Sequence, residues 1–101
     1  MQRLIDQPVG DGDVFEGLMY FGRVHYHLSI YQHFSESEGE SVPANVEVEG
    51  RITPLDLVSL LDLQRRGSEL TLRLVDGRVL DFSIANEEGT IRSTGRGLHQ
   101  P

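Results

Sequence analysis

The sequence predicts an α+β fold, in which a twisted antiparallel sheet of five to six strands packs against one α-helix. Apolar and polar residues alternate over residues 22–34 and again over residues 45–53, which is typical of strands with one buried face. Leucine and valine recur at helical spacing over residues 54–66. We expect the helix to cover the apolar face of the sheet, and a sheet rolled into a half-barrel is the variant of this fold that the sequence also allows.

Length and composition indicate one domain over residues 1–101. A chain of 101 residues can bury its own core without disulfides, and this chain contains no cysteine. No internal repeat or linker divides it. Residues 1–13 are expected to form an irregular lead-in and residues 95–101 a mobile tail, because both segments mix glycine and proline with few apolar residues.

Charge and hydropathy restrict the partners that we expect. The formal net charge of −7 argues against nucleic acid, because that binding depends on neutralising phosphates. The sequence has no apolar run of about 18 residues, so we expect no membrane span. The N-terminal residues lack the apolar stretch of a signal peptide, and a cytoplasmic location is therefore expected.

The first strand region covers residues 14–34 and is rich in aromatic and β-branched residues. Glycines interrupt it, and the sequence allows either one long bent strand or two strands that meet near Gly22. From Gly22 onward, the even positions are mainly apolar. The odd positions carry polar residues, among them His25, His27 and His33. One face is therefore predicted to enter the core while the other displays histidines.

An acidic loop at residues 35–41 separates this region from a second alternating strand at residues 45–53. If the two strands form a hairpin, matching their apolar faces fixes the parity of the register, because a slip of one residue exchanges the faces. The register then places Glu47 and Glu49 on the same face as His25.

The segment Pro54–Arg66 is predicted to be the helix. Thr53 is a suitable N-cap, Pro54 suits the first helical position, and Gly67 marks the end. Its apolar residues are interpreted as core.

Residues 68–85 predict a hairpin whose turn can be deduced. A two-residue Asp76-Gly77 turn would separate the apolar residues of the two strands. A three-residue loop over residues 75–77 instead pairs Leu72 with Leu80 and places both apolar sets on one face. We therefore expect Gly77 to be left-handed, followed by another turn at residues 86–89 and a short last strand at residues 90–94.

A metal site, with or without enzymatic activity, is the alternative functional hypothesis. His25 and His27 share one strand face, and Glu47 or Glu49 completes a set of two histidines and one carboxylate. That set suits a divalent transition metal such as iron, zinc or manganese. A solvated polar face explains the same residues without a metal, and we favour that interpretation.

The function that the sequence favours is a small acidic protein-interaction module without catalytic activity or cofactor. Five of the seven aromatic residues lie between residues 20 and 34, and exposed aromatic residues are enriched at interfaces. Tyr20, Phe21 and Tyr31 are the candidate interface residues. Unpaired sheet edges also allow pairing with a second copy, so a homodimer is expected, with another protein as the alternative partner.

Overall fold

The computed structural model describes residues 2–55, 62, 64, 65, 67 and 69–101. They form one antiparallel sheet of seven strands in a single domain. The strands are β1 (Gln2–Asp6), β2 (Val9–Glu16), β3 (Met19–Ser37), β4 (Glu40–Pro54), β5 (Leu70–Arg73), β6 (Val79–Ile84) and β7 (Thr90–His99).

Six of these strands close into a ring. β3 pairs with β2, β2 with β5, β5 with β6, β6 with β7, β7 with β4, and β4 returns to β3. β1 pairs with the far part of β3, beyond the residues that β2 contacts. In the described residues the sheet is closed on itself, whereas the sequence allowed only a half-barrel.

The core fills the interior of the ring. Inward-pointing side chains from all six closing strands are buried, and Phe82 and Tyr26 are the largest of them. The other members are Val14, Val24, Leu28, Ile30, Val48, Ile52, Leu70, Leu72, Leu74, Leu80 and Ile91. The apolar residues that alternate along each strand therefore pack together in one core inside the ring. They do not form an open face on which a helix or second sheet could pack.

The predicted α+β class is wrong, because 73% of the described residues are in strands and only 3% are helical. Thr53 and Pro54, the predicted helix start, are the last residues of β4 and pair with His25 and Val24. The N–H of Leu55 donates to the Arg23 carbonyl at 3.0 Å, so this segment satisfies the backbone of β3. Residues 56–61, 63 and 66 of the predicted helix lie outside the described residues.

The predicted irregular lead-in is also corrected, since residues 2–6 and 9–16 are strands. In β2, Gly10 and Gly12 pair with Tyr26 and Val24 and lie on the face that points inward. A Cβ on Gly10 would lie 2.9 Å from the Tyr26 hydroxyl oxygen, and one on Gly12 would lie 3.2 Å from Tyr26 Cε2. The two glycines therefore provide the space that the Tyr26 ring occupies, and that hydroxyl accepts a hydrogen bond of 3.1 Å from the Val75 N–H.

Residues 14–34 are divided between two strands, and the break lies at residues 17 and 18 rather than at Gly22. β3 and β4 then form a long hairpin whose turn is Glu38-Gly39. Both turn residues have positive φ, 54° and 83°, as the tight primed turns require. Residues 31–47 of this hairpin are exposed or only partly buried, and we call them the arm.

The β5–β6 hairpin confirms the predicted register. Leu70 pairs with Phe82 and Leu72 with Leu80, and Gly77 is left-handed with φ of 93°. The last strand is longer than predicted, because β7 runs through the supposed tail to His99. Residues 94–97 bulge out between its two paired parts.

Candidate functional site

The outer face of β3 carries the histidines, as the sequence predicted. His25, His27 and Ser29 face outward beside β4, where they pair with Thr53, Arg51 and Glu49. The alternation of β3 causes this arrangement, because the even positions between these residues are buried. The predicted parity of the β3–β4 register is therefore confirmed.

The structure separates the residues of the predicted metal set. His25 Nδ1 lies 2.8 Å from Asp11 Oδ1, and Glu47 Oε2 lies 2.8 Å from His33 Nε2. Across β3 and β4, Glu47 pairs with Tyr31 at the base of the arm, away from His25. No group of three or more His, Cys, Asp or Glu side chains suited to a metal occurs among the described residues. The metal site built on His25, His27, Glu47 and Glu49 stays a prediction without support from this geometry.

Sequence reasoning missed Asp11 and Asp13, which β2 places beside β3. Asp13 Oδ1 accepts a hydrogen bond of 3.3 Å from the Tyr20 hydroxyl and lies 3.4 Å from Arg23 Nη1. The signal was available, because aspartate and glycine alternate over residues 10–13 and predict one polar outer face. Such exposed ion pairs contribute about 0–1 kcal/mol each, so they orient the side chains more than they stabilise the fold.

An open cavity of about 490 Å³ lies on the outer face where β3, β4 and β7 meet. Its polar lining residues are His25, His27, Ser29, Arg51, Thr53 and Thr90. Gly50 also lines it, and a Cβ there would lie 2.2 Å from the His27 carbonyl oxygen. β4 can therefore approach β3 at this point only because residue 50 lacks a side chain.

The predicted interface residues lie in different parts of the molecule. Tyr20 is 52% exposed, and its ring centroid lies 5.4 Å from that of Phe15. Phe21 packs against the core. Tyr31 lies between β1 and β4, where it pairs with Leu4 on one side and with Glu47 on the other. Of the three, Tyr31 alone adjoins the strand β1.

Two strand edges beside the arm have no partner strand among the described residues. β1 pairs only with β3, and Leu4 and Ile5 are 44% and 53% exposed. β4 pairs with β7 only at residues 49–51, which leaves its outer edge unpaired along the arm. Both edges present backbone N–H and C=O groups to the surroundings.

Comparison with known proteins identifies no relative: no protein-family model, curated protein or solved structure matches this chain. Within the described part of the chain, no helix is long and apolar enough to span a membrane. The functional proposals below therefore rest on the geometry of this structure.

Proposed function

We propose that the chain is a protein-interaction module that pairs with a second copy of itself along the free edge of β1. The observation that supports this proposal is an edge strand whose outward backbone groups and apolar side chains have no partner strand in the part of the chain that the structure describes. Edge strands of this kind are satisfied by adding a strand from another chain.

The sequence of β1 is complementary to itself. In an antiparallel pair centred between Leu4 and Ile5, Arg3 of one copy lies opposite Asp6 of the second copy, and Leu4 lies opposite Ile5. The β1–β3 register shifts between Leu4 and Asp6, so Arg3 and Asp6 share one face, as residues opposite each other in a two-fold pair must. Opposite charges and apolar pairs across strands are both stabilising. Arg3 makes no ion pair with any of the described residues, so its guanidinium group is available to another molecule. Two-fold symmetry would repeat each contact, as isologous dimers require.

The edge of β4 is a poorer site for self-pairing. The arm contains four glutamates and no arginine or lysine, so two arms placed side by side would repel each other. Pro43 removes one backbone donor from the strand. Charged residues and proline are among the features that protect natural edges from pairing.

Charge reversal tests the proposal. Two symmetric pairs at about 0.5–1 kcal/mol each predict that Arg3→Asp weakens dimerisation roughly 5- to 30-fold. The double variant Arg3→Asp with Asp6→Arg restores the opposite charges and should recover the affinity of the parent. Sedimentation equilibrium over a range of protein concentrations gives the dissociation constants.

The matched control is Arg92→Asp in β7, which makes the same change of charge as Arg3→Asp but lies away from β1 and should leave the β1 pairing unchanged. Asp6 also contacts Arg78 at 3.8 Å, so Arg3→Asp is the cleaner single variant. A parent that stays monomeric at about 1 mM, where the weakest specific complexes already form, would refute the proposal. So would a double variant that dimerises no better than Arg3→Asp.

A further inference from the structure

The cavity on the outer face is lined by hydrogen-bond donors, and the carboxylates of Asp11 and Glu88 contact two of the lining residues from outside it. Its lining provides two imidazoles, one guanidinium group and three hydroxyls, and no Asp or Glu of the described residues lines it. This composition is unusual in a chain with a net charge of −7. Donor groups gathered in one concave place are suited to an anion.

Most of these donors have no partner in the described part of the chain. The side chains of His27, Ser29, Thr53 and Thr90 make no hydrogen bond with the described residues. Three of the four are hydroxyls, which rotate to follow a ligand's oxygen atoms. Polar side chains without internal partners are therefore free to bind a ligand without breaking an existing contact.

Arg51 supplies the positive charge of the cavity. Its only ion pair among the described residues is with Glu88, at 3.9 Å, and the two side chains are 61% and 74% exposed. An exposed pair at this distance holds the guanidinium group weakly. Its planar fork is suited to two parallel hydrogen bonds with an oxyanion.

We propose that this cavity binds the phosphate group of a small organic phosphate, with Arg51 as the principal charge partner. The hydroxyls, the imidazole of His27 and the guanidinium group offer more donors than the two oxygens of a carboxylate can accept, whereas a phosphate monoester has three terminal oxygens. A volume of about 490 Å³ leaves room for the organic part. Asp11 holds the His25 ring at the rim through the 2.8 Å contact.

Titration followed by ¹H–¹⁵N NMR tests this site with glycerol phosphate as the probe. We expect saturable shifts at Ser29, Arg51, Thr53 and Thr90. Succinate serves as the carboxylate comparator and should bind at least roughly tenfold more weakly, because it satisfies fewer donors. Arg51→Gln should weaken glycerol phosphate binding roughly tenfold or more.

Two further variants distinguish the cavity from general attraction of anions. Arg92→Gln removes a neighbouring arginine outside the cavity and should leave binding unchanged. Glu88→Gln removes the competitor for Arg51 and should bind at least as tightly as the parent. Linear shifts without saturation, equal binding of succinate, or equal losses in the Arg51 and Arg92 variants would each overturn the assignment. None of these variants alters β1, so this result is independent of dimerisation.

Discussion

The contact between Gly10 and Tyr26 predicts a measurable coupling between two substitutions. The Cβ of Gly10→Ala would lie 2.9 Å from the Tyr26 hydroxyl oxygen and 3.2 Å from its Cζ. Crowding of this kind costs about 1–3 kcal/mol, less the roughly 0.5–1 kcal/mol that alanine gains over glycine in a strand. We therefore expect Gly10→Ala alone to destabilise the fold by roughly 0–2.5 kcal/mol, with a central value of about 1 kcal/mol.

Tyr26→Phe removes the oxygen that is crowded in the alanine variant. Alone it should cost about 1 kcal/mol, because the Val75 N–H loses its acceptor. With that oxygen absent, the Cβ of Gly10→Ala keeps contacts of 3.2 Å to Cζ and 3.3 Å to Val75 Cγ1, whose cost is roughly offset by the gain of alanine over glycine. The double variant is then expected to be about as stable as Tyr26→Phe, so the coupling energy equals the cost of Gly10→Ala alone.

Gly12 provides the matched control. Its Cβ would lie 2.3 Å from the Arg73 carbonyl oxygen, a backbone atom that Tyr26→Phe does not move. Urea unfolding at one fixed protein concentration gives each free energy of unfolding, with midpoint shifts of about 0.5–1 M for the single variants. Additivity of Gly10→Ala and Tyr26→Phe within about 0.5 kcal/mol would refute the packing argument. The argument would also be refuted if Tyr26→Phe lowered the cost of Gly12→Ala as much as it lowers the cost of Gly10→Ala.

Two further predictions concern β4 and the β5–β6 turn. Gly50→Ala would place a Cβ 2.2 Å from the His27 carbonyl oxygen and should lower the free energy of unfolding by about 2 kcal/mol or more. Thermal unfolding should then show a lower Tm, and an unchanged Tm would contradict the close approach of β3 and β4. The Arg78 N–H, which donates to Asp76 Oδ1 at 3.0 Å, holds the pKa of Asp76 below its usual 3.8. The parent should therefore be more stable than Asp76→Asn at pH 7, and this difference should be lost as the pH falls through the lowered pKa. A stability difference that does not change between pH 7 and pH 2 would show that the ionised Asp76 carboxylate does not stabilise the turn.

The register of the β5–β6 hairpin and the parity of the β3–β4 register could be predicted because each depends on neighbouring residues. Alternation fixes which side chains face inward, and the loop length then leaves one pairing that keeps the faces together. This reasoning predicted the pairing of Leu72 with Leu80 correctly, and it placed Glu49 on the face of His25.

The closure of the sheet could not be predicted in the same way. It depends on β2 meeting β5 and on β4 meeting β7, and no local pattern specifies those contacts. The helical spacing of residues 54–66 was a local signal, yet β4 extends to Pro54 because β3 needs backbone partners there. Tertiary pairing outweighed local propensity at that point.

Only the part of the candidate site that lies on one strand could be predicted, because the other residues reach it through tertiary pairing. His25 and His27 were found from the alternation of one strand. Thr90 and Asp11 reach the site from β7 and from the segment that had been interpreted as irregular. The strand β2 was not predicted because its inward positions 10 and 12 are glycines rather than apolar residues. The ring of Tyr26 fills the space beside these two glycines.

The two seams that close the ring also have a kinetic consequence. β2 and β5 share three residue pairs, as do β4 and β7, and both seams join segments far apart in the chain. The entropy lost in closing such long loops must be overcome before the core is complete, so topologies of this kind fold slowly. In the folded state the same short seams should open before the long β3–β4 hairpin. Amide hydrogens at Phe15 and Gly50 should then exchange with solvent faster than the amide hydrogen at His27, whose backbone groups face β4.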